Sequence, residues 1–303
     1  MVMGTMRATV AGPLLMVLAG LCFALVNVAI QGATMIYGLP APTVVLWQYA
    51  IALAVCLPVL QVRRALRVGR WRWHLVRVGL AVMGVQLWTA GLAHVPIWQA
   101  IALILLSPVF VTFGAAILLR ERVGAARWIA VLTGVAGGCV VLAPWSDAFT
   151  WAALYPVGAA AFWAGASLMT KRLALVEDAD VLTVWLLLLL VPVNLALAAG
   201  PGVWPGGGPA LVLLIGAGVA TAVAQYALAA AYRIADAAYL QPFDHLKLPL
   251  NILFGFLAFG FAPQGATWIG TAMILGAGLW LVARERAVTE TLPVPPPRRD
   301  AVA

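Results

Sequence analysis

Apolar runs long enough to cross a bilayer follow one another along almost the whole chain, separated by Gly/Pro turns or short charged clusters. They predict ten helices near residues 10–31, 42–61, 75–93, 97–119, 125–143, 150–170, 181–200, 209–230, 236–259 and 265–283. An outer-membrane barrel would instead need short strands of alternating polarity. Only His94-Val95-Pro96 separates spans 3 and 4, which predicts a tight antiparallel hairpin. The first run matches the others in length and lacks the small-residue cleavage site of a signal peptide, so it reads as a retained helix. Residues 287–303, with Pro293-Val294-Pro295-Pro296-Pro297-Arg298-Arg299, read as a disordered cytoplasmic tail.

Composition agrees with this pattern. Of 303 residues, 64% are hydrophobic and 9% charged, with a mean hydropathy of +1.03. Soluble domains carry about a quarter charged residues, so soluble and disordered classes are excluded. Cys22, Cys56 and Cys139 all fall in apolar runs and offer neither a disulfide framework nor metal spacing. No cofactor and no metal site is expected.

The net charge of +8 changes the picture through its placement. Arg63, Arg64, Arg67, Arg70, Arg72 and Arg77 lie between span 2 and the start of span 3. Arg120, Arg122 and Arg127 flank the next such connection, and Lys171 with Arg172 follows span 6. Arg233 follows span 8, and Arg284, Arg286, Arg298 and Arg299 follow span 10. With Arg7, seventeen of eighteen basic residues fall on the side of the N-terminus. The positive-inside rule then makes both termini cytoplasmic, in a multi-pass protein of the cell inner membrane. The Arg63–Arg72 cluster reads as topology and attraction to anionic lipid, not as a nucleic-acid site.

Two segments resemble each other. Arg120–Leu142 and Gly260–Val282 align without gaps through Ala126/Ala266, Trp128/Trp268, Ile129/Ile269 and Gly138/Gly278. Each closes a block of five spans. Five is odd, so the second block must cross the membrane inverted relative to the first, as in many secondary carriers. With its short hairpin before span 4, Leu119-Arg120-Glu121-Arg122-Val123 leading to Trp128-Ile129, and Phe259-Gly260 leading to Trp268-Ile269-Gly270, the chain resembles the EamA-type ten-helix branch of the drug/metabolite transporter superfamily. It departs where Gly260-Phe261 stands in place of the Gly-Glu common in that family. The expected fold is all-α integral membrane, with one repeat over 10–143 and a second over 150–286.

Span 9 carries the densest intramembrane chemistry. Gln241, Asp244, His245, Lys247 and Asn251 fall within a wedge of roughly 160° at about 100° per residue, with Phe243, Leu246, Leu250, Leu253 and Phe254 opposite. Such a stripe must turn toward protein or a wet cavity, because Asp and Lys at a helix centre each cost about 2.5–3.5 kcal/mol on insertion scales. Two readings stand: a self-neutralising Asp244–Lys247 pair, or side chains on the transport pathway. Protons are the candidate coupling ion, through Asp244. Pro242 and Pro249 are expected to break the backbone ladder there. Asn27, Gln86, Gln225, Tyr226, Trp88 and Trp163 complete the candidate site, on spans 1, 3, 6 and 8, and pair an aromatic lining with a few polar groups.

The expected function is secondary transport of a small metabolite by alternating access, in a monomer or homodimer among membrane lipids. An amino acid or related amphipathic solute is the expectation, and the resemblance favours export. The alternatives are a flippase for lipid-linked or polyprenyl-linked substrates and an uptake carrier. No His-Glu-x-x-His, P-loop or nucleophile elbow points to an enzyme.

Overall fold

The computed structural model describes residues 2–58, 70–118, 124–147, 149–173, 176, 177, 179–234, 240, 243, 246–263 and 265–291. Every regular element among them is helical. We number the α-helices α1 Val2–Gln31, α2 Ala41–Cys56, α3 Trp71–Leu92, α4 Ile97–Ile104, α5 Ser107–Leu118, α6 Ala125–Leu142, α7 Leu154–Leu173, α8 Ala179–Ala198, α9 Pro209–Ile234, α10 Lys247–Phe259 and α11 Ala266–Thr291. Six segments are long and apolar enough to cross a membrane, and four shorter apolar helices match the remaining predicted spans.

Three local features depart from the predicted spans. The predicted fourth span is two helices, because Pro108 has no N–H to return to the Ile104 carbonyl and its ring crowds that turn. The chain tightens there instead, with Leu106 N–H donating to Leu103 O at 3.1 Å and Val109 N–H to Leu106 O at 2.9 Å. Span 1 does not stop at Gln31 but continues as a π-helical turn, Gly32–Ile36. The predicted ninth span is interrupted at Leu246, whose N–H donates to Phe243 O at 3.2 Å in a tight turn, and α10 begins only at Lys247 with Pro249 in its first turn, where a missing N–H is tolerated; Pro242 lies outside the described residues. Gly260 ends α10 at φ +70, a left-handed position that disfavours any side chain.

Each helix packs mainly on helices of the other predicted block. Helix α1 lies along α9, and α3 lies along α7; α2 packs on α9 and α8, and α6 on α11. Smaller contacts join α1 to α10 and α5 to α7. The two blocks are therefore interwoven rather than side by side. Small residues allow the closest crossings. A Cβ on Gly137 would sit 2.6 Å from the Gly270 carbonyl oxygen, and one on Gly270 would sit 2.6 Å from that of Gly137. Gly134 and Gly138 similarly receive Val109 and Leu106, and Gly165 receives Leu80.

The largest apolar core gathers at the face away from the N-terminus. Ile30, Ala33, Val44, Leu92, Val95, Ile97, Ala100 and Ala153 all belong to it. Gln31, fully buried there, donates from Nε2 to the Leu92 carbonyl at 3.0 Å and the Val95 carbonyl at 2.7 Å. That tie holds the hairpin between α3 and α4 against the end of α1. Trp71, Trp73, Trp145, Trp151 and Trp204 are exposed at helix ends or in connections, as interfacial anchors should be. Trp128 and Trp268 are also exposed, on the outer surface of the bundle, with Trp128 edge-on to Phe113.

Candidate substrate site

Below that core the bundle encloses a cavity of about 370 Å³, bounded by α1–α4 and α7–α10. Among its described lining residues, α5, α6 and α11 contribute none. The volume lies within the ~300–1,000 Å³ typical of small-molecule sites. One wall is aromatic. Trp88 and Trp163 approach with ring centroids 5.8 Å apart and planes tilted by 43°. Trp163 can lie this close to α3 because Gly84 stands opposite: a Cβ there would be 2.5 Å from Trp163 Cδ1.

The other walls carry amides and hydroxyls. Asn27 Nδ2 donates to Asn251 Oδ1 at 2.8 Å, and Trp88 Nε1 donates to Asn27 Oδ1 at 3.2 Å. Asn251 in turn donates to the Lys247 carbonyl at 2.6 Å. This chain links spans 1, 3 and 9 and fixes the Trp88 indole from its polar edge. Across the cavity Gln48 Nε2 donates to Thr221 Oγ1 at 2.9 Å, while Gln48 Oε1 is buried with no partner. Ser167, Thr170 and Gln225 add further polar groups.

Two cations face the cavity. Arg77 is 4% exposed and donates from Nη2 to the Leu182 carbonyl at 2.6 Å. Lys247 Nζ lies 5.3 Å from the centroid of the Phe23 ring. No carboxylate occurs among the described lining residues. The arrangement suits a flat aromatic solute with hydrogen-bonding edges.

Of the residues singled out from the sequence, Asn27, Trp88, Trp163, Gln225 and Lys247 line this cavity together. Gln86 does not: it donates instead to Asn194 on α8. Tyr226 does not line it either: it is 64% exposed on the outer face of α9. Gln241, Asp244 and His245 lie outside the described residues. Spans 2, 4 and 7 were not expected as walls, yet supply Gln48, Tyr49, Ile101, Ile104, Leu186 and Leu190. Arg77 was read only as a topology marker.

The EamA-like transporter family matches residues 10–143. A protein of Vibrio cholerae serotype O1 named riboflavin transporter is 53% identical over 268 residues, covering 87% of this chain and 90% of that protein. The chain belongs to the EamA-like transporter family. A second family member, named riboflavin transporter in Rhizobium johnstonii, is 52% identical over 282 residues, covering 91% and 92% of the two chains. One solved crystal structure aligns with a TM-score of 0.59 at 22% identity, over 94% of this chain and 99% of that one. This EamA-like protein is thus a multi-pass membrane transporter of a small metabolite, and its relatives are transporters rather than enzymes.

Proposed function

We propose that this protein carries riboflavin across the cytoplasmic membrane by alternating access. The observation that carries the proposal is near full-length identity above one half with relatives named for that solute. The cavity supports it chemically. Riboflavin joins a flat, uncharged tricyclic ring to a polyhydroxylated chain. The Trp88–Trp163 wall offers stacking for such a ring. Gln48, Thr221, Gln225 and Asn251 offer partners for carbonyls and hydroxyls. A flavin therefore replaces the amino-acid expectation. A pocket among eight helices also favours a soluble solute over a lipid-linked one.

We further read the fold as two inverted five-helix repeats, 10–143 and 150–286. The pairing of helices supports this reading. Exchanging the repeats converts the α1–α9 contact into the α7–α3 contact, and the α1–α10 contact into the α7–α5 contact. The α6–α11 and α2–α8 contacts map onto themselves. Seventeen basic residues on one face support cytoplasmic termini. The apolar plug around Ile30, Leu92 and Ile97 then lies on the outer side, and the cavity belongs to an inward-facing state.

Two outcomes follow. Reporter fusions at Arg67 and at the C-terminus should report cytoplasm, and one at Gly207 the outside; a cytoplasmic signal at Gly207 would overturn the topology. A bacterium that cannot make riboflavin and lacks its own importer should grow on external riboflavin when it expresses this protein. Failure to grow, with the protein present in the membrane, would overturn the flavin reading.

A further inference from the structure

Beside the cavity, toward the N-terminal face, lies a buried ionisable cluster that solute binding does not use. His74, in the first turn of α3, is fully buried. Its Nε2 lies 2.6 Å from Oε2 of Glu177, in the connection between α7 and α8, where the carboxylate is 6% exposed. The imidazole stacks on Trp185 of α8, with centroids 5.1 Å apart and planes within 15°. Arg77 follows three residues later on the same face of α3, one helical turn nearer the cavity that it lines. Three atoms of this cluster are buried with no hydrogen-bond partner: His74 Nδ1, Glu177 Oε1 and Arg77 Nε. Buried polar groups are nearly always satisfied, and unsatisfied ones mark stored function or strain. Arg77 also interacts electrostatically with both His74 and Glu177. Among the described side chains it is the charged group that acts on the pair, while α2 and α7 turn Tyr49 and Thr170 toward the same cavity wall.

We propose that His74 and Glu177 form a proton-binding site, separate from the solute cavity and linked to it through Arg77. The 2.6 Å approach of Nε2 to Oε2 puts the imidazole N–H on Nε2 as donor to the carboxylate and leaves the unpartnered Nδ1 to take up the second proton. With that proton, the imidazolium neutralises Glu177, and Arg77 is left to the Leu182 carbonyl and the cavity. Without it, the Nε2–H bond persists but the pair carries the full carboxylate charge. The nearest cation is Arg77, whose Nε and the free Oε1 of Glu177 then satisfy one another. Arg77 thereby withdraws from the cavity wall. Proton and solute thus favour the same state, which is the condition for symport. The site stands on its own geometry; only its link to transport rests on the flavin reading.

The stacked indole is a built-in reporter, because a protonated imidazole quenches the fluorescence of a ring against it. Purified full-length protein, without solute, should show a pH-dependent fluorescence step that both His74→Gln and Trp185→Phe remove. In proteoliposomes with the membrane potential clamped, wild type should accumulate riboflavin about tenfold for each unit by which the outside is more acidic, as one proton per neutral solute requires. His74→Gln and Glu177→Gln should retain riboflavin counterflow within about twofold yet lose the response to the pH gradient. If His74→Gln is not recovered folded, Glu177→Gln carries the same readouts. A fluorescence step that survives both substitutions at the pair, or gradient-driven accumulation by either variant, would overturn the proton site. Wild type that exchanges riboflavin but ignores the gradient would overturn the link to transport and spare the flavin reading. A normal fluorescence step without any riboflavin exchange would overturn the flavin reading and leave the proton site standing.

Discussion

Replacing Trp163 with alanine is expected to weaken riboflavin binding by about 1–3 kcal/mol, roughly 5- to 150-fold, as removal of one aromatic platform does for a flat heterocycle. Expression should stay near that of wild type, because Trp163 is only partly buried and faces the cavity. Gly84→Val should give a similar loss by a different route. Its Cβ would lie 2.5 Å from Trp163 Cδ1, so the indole must leave its seat and enter the space meant for the solute. Quenching of tryptophan fluorescence by added riboflavin measures both. Wild-type affinity in Trp163→Ala would mean that the ring stacks elsewhere. Trp88→Ala should lose more than stacking, since the indole also holds Asn27 in the polar chain to Asn251.

The second large effect is on the scaffold. Helices α6 and α11 cross with backbone against backbone, and no flexible side chain stands between Gly137 and the Gly270 oxygen. An added methyl at either position must part the helices, and overpacking of this kind typically costs about 1–3 kcal/mol. Gly137→Ala or Gly270→Ala should therefore lower the melting temperature and the folded yield in detergent. Gly276→Ala, on the same helix with nothing within 4 Å of its Cβ, should be neutral or slightly stabilising by about 0.5–1 kcal/mol. Since neither helix lines the cavity, riboflavin affinity of the folded fraction should not change. Equal stability of the Gly137 and Gly276 variants would contradict the close crossing.

The apolar runs carried most of the fold, because each membrane crossing must bury about twenty apolar residues. They could not carry rotation or depth. Gln225 and Tyr226 are adjacent, and about 100° separates them on the helix; one lines the cavity and the other faces outward. Nothing in their polarity distinguishes the two. Gln86 satisfied the same sequence criterion as Asn27, yet its partner Asn194 lies 108 residues away on another helix. His74 and Glu177 are 103 residues apart, and no periodicity joins them. The seat of Trp163 depended on Gly84, a glycine whose sequence context resembles that of any other apolar helix. Pro108, by contrast, was a readable signal, since a proline inside a helical run breaks the hydrogen-bond ladder. Asn251 was visible in the polar stripe of span 9, and its bond to Asn27 now fixes that stripe against span 1.

Counterflow in proteoliposomes containing only this protein tests the central claim most directly. Vesicles preloaded with unlabelled riboflavin and diluted into a trace of labelled riboflavin should accumulate label transiently above its external concentration, and excess unlabelled riboflavin outside should abolish the overshoot. Trp163→Ala should shift the riboflavin concentration needed for half-maximal exchange upward by the factor found in binding. Entry of label that merely equilibrates, equal in empty and preloaded vesicles and indifferent to the tryptophan, would contradict carriage of riboflavin through this cavity.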